Sequence, residues 1–61
     1  MKRKELEVIQ NSIRTVRDNM GILLAEDGHY RNIQDAELRK LYYDLNDMCL
    51  LLGQKMEEDN G

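Results

Sequence analysis

The chain contains no proline, no tryptophan and no phenylalanine, and only one cysteine and one histidine. Each shortage excludes something. A single Cys49 cannot form an internal disulfide. With His29 as its only possible companion, it cannot assemble the four nitrogen and sulfur ligands of a structural zinc site, so neither metal nor cofactor is expected. No glycine-rich phosphate loop and no nucleophile–base–acid set occurs, and no catalytic residue is assigned. No stretch approaches the roughly 20 apolar residues of a membrane span. The basic start Lys2-Arg3-Lys4 is followed at once by Glu5 and Glu7, not by the apolar run of a secretion signal. A free cysteine without a disulfide makes the cytoplasm the expected location. The net charge of −3 makes a poor general nucleic-acid binder, because such binding rests on neutralising phosphates.

What remains is a 61-residue chain, 41% hydrophobic and 34% charged, which is a globular or coiled-coil composition. One domain is the most it can form. A chain this short buries only about 60% of its unfolded surface, so a lone core is marginal. With disulfides and metals excluded, oligomerisation is the remaining stabilising device.

Two segments carry helical periodicity. Leu6, Ile9, Ile13, Val16, Met20 and Leu23 are spaced alternately three and four apart, which lines them along one stripe. Leu38, Leu41, Leu45, Met48 and Leu52 repeat the pattern. Between the stripes, Gly28 is suited to the left-handed residue that closes a helix. Asn32 or Asp35 can cap the second helix, and Asp35 can pair with Arg39 four residues on. The pattern predicts a helix over about 3–26, a turn over about 27–32, a helix over about 33–56 and a frayed acidic tail. A short connection makes neighbouring helices antiparallel. The competing reading, one continuous helix in a parallel coiled coil, conflicts with Gly28 and with the mostly polar residues Asp27, Tyr30, Gln34 and Glu37 that the first stripe would meet if it ran on. The fold class is therefore all-α: an antiparallel two-helix hairpin expected to dimerise into a four-helix bundle. In that arrangement Lys2, Arg3 and Lys4 lie beside Glu57, Glu58 and Asp59.

The second segment has more apolar surface than one seam requires. Tyr42, Cys49 and Met56 form a second row, Ala36, Tyr43 and Leu50 a third, and Leu51 is also spare. On the first segment Val8 and Ile22 lie off the stripe. Apolar surface spread over adjacent rows marks a contact surface more often than a chance exposure. Packing between two copies is one use, and it would bury Tyr42, Tyr43, Cys49, Leu50 and Leu51. A groove on another protein is a second use, with Ile22, Tyr43, Leu50 and Leu51 as anchors. The remaining special residues have plain explanations. His29 is a solvated turn residue, Cys49 a small core residue, and the methionines fill the core.

Ile13, Arg17, Met20 and Gly28 fall in an order that resembles the small sporulation stage-zero aspartyl-phosphate phosphatases of spore-forming bacteria. In that family a helical hairpin docks on a response regulator and removes its phosphoryl group. The resemblance covers about residues 9–52. The family's Ser-Gln-Glu-Leu-Asp motif aligns with Tyr42-Tyr43-Asp44-Leu45-Asn46, of which only Leu45 is identical. Asp44 stands in for the glutamate. Asn46 replaces the aspartate on which the family's activity depends, and an amide cannot act as a carboxylate base. The resemblance thus implies a hairpin and a docking mode involving Asp44 and Asn46, without the catalysis. The function expected from the residues is a small non-enzymatic regulator, inhibitor or adaptor, such as phages and mobile elements encode. The alternative is a phosphatase-like regulator of a response regulator.

Overall fold

The computed structural model describes residues 2–60, and side chains through residue 58. Two helices, α1 (Arg3–Leu24) and α2 (Ala36–Asn60), pack against each other as an antiparallel hairpin, joined by an 11-residue connection holding one 3-10 turn, Tyr30–Asn32. No strand occurs among the described residues.

The turn departs from the sequence expectation in its bounds. α1 stops at Leu24, not near residue 26, because Ala25 is extended (φ −114°, ψ 138°). Ala25 turns inward there and is buried. Gly28 has φ 76° and supplies the one left-handed residue among the described residues, in the loop and not directly at the helix end. α2 begins at Ala36, not near residue 33, and runs on as helix to Asn60, so the acidic tail expected to fray is helical. The late start has a local cause. The Asp35 carboxylate accepts hydrogen bonds from the backbone N–H groups of Glu37 (2.9 Å) and Leu38 (3.1 Å), and its carbonyl accepts the N–H of Arg39 (2.9 Å). Asp35 is therefore the cap residue, which leaves Ile33 outside the helix. Freed from helical geometry, Ile33 plugs the closed end of the hairpin at 1% exposure. Arg39 does not pair with Asp35. Its guanidinium donates to the Ile33 carbonyl at 3.0 Å instead, which fastens the linker to α2.

The seam between the helices lies one column away from the expected stripes. On α1 the residues that face α2 are Leu6, Gln10, Ile13, Arg17, Met20 and Gly21, all buried or half-buried. Ile9, Val16 and Leu23, half of the predicted core stripe, are exposed, Leu23 at 78%. On α2 the facing residues are Leu38, Tyr42, Leu45, Asn46, Cys49, Leu52, Gly53 and Met56, while Leu41 and Met48 stand outside. The row Tyr42, Cys49 and Met56, read from the sequence as spare, is thus the centre of the seam.

Polar cross-links set this rotation. The Gln10 side-chain amide donates to the Cys49 carbonyl at 3.0 Å, and the Cys49 thiol lies 3.9 Å from the Gln10 carbonyl. Arg17 donates to the Asn46 side-chain carbonyl at 2.8 Å. At the closed end the α1 backbone at Gly21 comes close to Gly28 and Tyr30. A Cβ added at Gly21 would lie 3.6 Å from the Gly28 carbonyl oxygen and 3.7 Å from the Tyr30 Cβ. No ion pair joins the basic start to the acidic end among the described residues. Arg3 pairs with Glu7 and Lys55 with Glu58, each within its own helix.

Candidate functional site

The hairpin has two broad sides, and they differ in chemistry. One carries the polar cross-links. There the Arg17 guanidinium forks between helices, to Asn46 at 2.8 Å and to Asp18 at 3.0 Å. Beside this bridge α2 presents Tyr43, at 46% exposure, and Leu50, at 61%. Toward the closed end lies an aromatic cluster. Tyr30 and Tyr42 are stacked, with ring centroids 4.5 Å apart, and Tyr43 meets both edge-on at 5.8 Å and 5.9 Å. Such pairs hold their rings at fixed angles. Tyr43 is therefore a rigid aromatic whose outer part is open to solvent, which is the character of an interface anchor.

The structure brings together only some of the residues singled out from the sequence. Tyr42, Tyr43, Asn46 and Leu50 lie on α2 within or next to this side. Tyr42 is not a free anchor, because it is half-buried in the seam and stacked on Tyr30. Asn46 is likewise half-buried and engaged by Arg17. Ile22 is exposed and shares a shallow depression with Asp18, Gly21, Gly28, Tyr30 and Tyr42. Leu51 and Asp44 point from the outer back of α2, away from the other five, and Asp44 is paired with Lys40 at 3.1 Å. The depression and Tyr30 were missed from the sequence. The signal that could have found Tyr30 is its pairing with two more tyrosines in a chain that has only three.

The linker has its own polar knot. The Asp27 carboxylate accepts the His29 backbone N–H at 3.0 Å and the Asn32 side-chain amide at 2.6 Å. The His29 backbone bond is the largest influence holding the Asp27 carboxyl below its ordinary value of 3.8; desolvation opposes it, and the Asn32 bond adds a lesser lowering. His29 itself is exposed. No group of three or more His, Cys, Asp or Glu side chains is placed to hold a metal ion among the described residues. Cys49 is buried at the seam, against α1. No described helix is long and apolar enough to cross a membrane.

The second broad side has no comparable polar bridge. Ile9, Val16 and Leu23 run along α1, and Leu41 and Met48 along α2, all exposed. Comparison of the chain with protein-family models, with curated proteins and with solved structures finds no match.

Proposed function

We propose that this chain is a non-enzymatic interaction module that holds another protein against α2 through Tyr43 and Leu50. One observation carries the reading. Eleven large apolar side chains are exposed among the described residues, against five apolar residues that are buried. Apolar area left in water contributes nothing to stability, and its burial is worth about 25 cal/mol per Å². A surface with this imbalance is made to be covered. On the Tyr43–Leu50 side a rim of hydrogen-bonding groups, Arg17, Asp18 and Asn46, borders the apolar anchors. An apolar centre with a polar margin is the ordinary anatomy of a non-obligate interface.

Such a module would act as a regulator, inhibitor or adaptor by occupying a partner's groove. A phosphatase-like action on a response regulator is the weaker reading. It needs a carboxylate where the family's motif has its aspartate, and Asn46 at that place is an amide already held by Arg17.

The test is site-specific photo-crosslinking of the full chain in its native cells. A crosslinker at Leu50 or Tyr43 should trap one discrete foreign protein, and a crosslinker at the exposed Thr15, on the outer face of α1, should not. The trapped protein should be lost on Leu50→Glu. Self-adducts alone at Leu50 and Tyr43 would overturn the reading. A faster loss of phosphate from phosphorylated response regulators in the chain's presence would favour the alternative.

A further inference from the structure

We propose that the other broad side, formed by Ile9, Val16 and Leu23 of α1 with Leu41 and Met48 of α2, seats a second copy of this chain to make a four-helix bundle. The proposal extends the interaction-module reading to a second surface and fails or stands separately from it.

The first observation is geometric. On each helix the exposed apolar residue immediately precedes a residue of the seam: Ile9 before Gln10, Val16 before Arg17, Leu41 before Tyr42, and Met48 before Cys49. One residue back along a helix is a rotation of about 100°. In two antiparallel helices that face each other, the same backward rotation carries both rows to the same side of the pair. The five side chains therefore share one surface, floored by the half-buried Ile13, Met20, Leu45 and Leu52.

The second observation is an inverted partition. α1 turns Gln10 and Arg17 into the seam and leaves Ile9, Val16 and Leu23 outside it. Polar side chains in a seam beside aliphatic ones in water make sense if the aliphatic row meets a partner. Both helices then carry the apolar stripe of about three positions in seven that a four-helix bundle uses, one part for the hairpin seam and one for the facing hairpin.

The third observation is area. The chain exposes 4746 Å². A compact folded monomer of 7.2 kDa is expected to expose about 4,100 Å². The excess reflects the elongated shape, and one hairpin face, 41 Å long and 15 Å wide, has a footprint of about 600 Å². Covering that face on two copies buries on the order of 1,200 Å², the lower edge of the range for stable, specific interfaces. A second copy also matches the surface in chemistry. Ser12 and Asn19 lie beside the α1 row; at the equivalent place beside the α2 row, between Leu41 and Met48, stands Asp44, ion-paired with Lys40, and Glu5, Glu37 and Lys55 fall near the ends. A two-fold pairing therefore meets charge only at the margin of the face, where Asp44 is already paired with Lys40.

The test is sedimentation equilibrium of the full chain across a concentration series. Twice the chain mass is expected at micromolar concentration. Val16→Glu and Met48→Glu, both at positions the hairpin itself leaves exposed, should each weaken self-association at least tenfold. Leu50→Glu, on the opposite side, should not change it. A monomer at millimolar concentration overturns the proposal, and so does dissociation by Leu50→Glu but not by Val16→Glu. A second measurement does not depend on any variant folding. In a mixture of isotope-labelled and unlabelled wild-type chains, filtered Overhauser contacts should link the methyl groups of Val16 or Leu23 to those of another copy. Intermolecular contacts confined to Leu50 and Leu51 would place the interface elsewhere and end the proposal. Loss of foreign-protein crosslinks at Leu50 with the dimer intact would remove the partner reading and leave this one standing.

Discussion

Gly21 sits where α1 approaches the linker, yet the space beside it is not closed. A methyl group there would make ordinary van der Waals contacts, at 3.6 Å and 3.7 Å. Glycine in a helix interior costs up to about 1 kcal/mol relative to alanine. Gly21→Ala should therefore stabilise the chain by about 0.5–1 kcal/mol, read as a higher urea midpoint with an unchanged slope. Gly28 is the opposite case. Its φ of 76° is unfavourable for any residue with a Cβ. Gly28→Ala should lower stability by about 1 kcal/mol even though nothing lies within 4 Å of where the new methyl group would stand. The bridge from Arg17 to Asn46 is a hydrogen bond to a charged group across the seam. Asn46→Ala should cost about 1 kcal/mol in chemical denaturation, at the low end for such bonds because Asp18 still holds the guanidinium.

The linker and the caps decide where each element stops. Asp35 satisfies two of the N–H groups that open α2, and Asp35→Ala should cost about 1 kcal/mol, with the first turn of α2 losing protection in hydrogen exchange. Asp27 organises the loop before it, and its behaviour with pH follows from the sign of its shift. Its carboxyl is held below 3.8 in the fold, so the contribution is complete above the unfolded value and is lost as pH falls through the lowered folded value. The His29 amide and the Asn32 side-chain amide should therefore keep their resonance positions from neutral pH down to about 4 and shift only below it. Movement of both signals well above that value would overturn the assignment to Asp27.

For the whole molecule, elongation is the governing fact. The radius of gyration is 13.3 Å, against about 10.5 Å expected for a compact domain of 61 residues. A lone hairpin has one seam and two open sides, so its stability should be linked to whatever covers them. If a second copy does so, the melting temperature should rise with protein concentration over a hundredfold range, because folding and association become one equilibrium. A concentration-independent melting temperature would mean that the hairpin stands on its seam alone.

Much of the fold was legible in the residues. Alternating spacings of three and four specify two helices whatever they pack against, because the period belongs to the backbone. Gly28 and Asp35 marked the turn for equally local reasons, a positive φ and a carboxylate placed to meet free N–H groups. The identity of the seam was not legible. Leu6, Ile13 and Met20 belong to either of two adjacent stripes, and hydrophobicity alone favoured the one completed by Ile9, Val16 and Leu23. Only the tertiary structure rotates α1 to the other, where Gln10 and Arg17 find partners at Cys49 and Asn46 on α2. The same rotation takes Tyr42 out of the candidate binding surface and sets Tyr43 and Leu50 on one side of the hairpin, with Leu41 and Met48 on the other. Periodicity fixes which residues share a column of a helix. Which column faces inward depends on hydrogen bonds between residues far apart in the chain, and no local pattern records them.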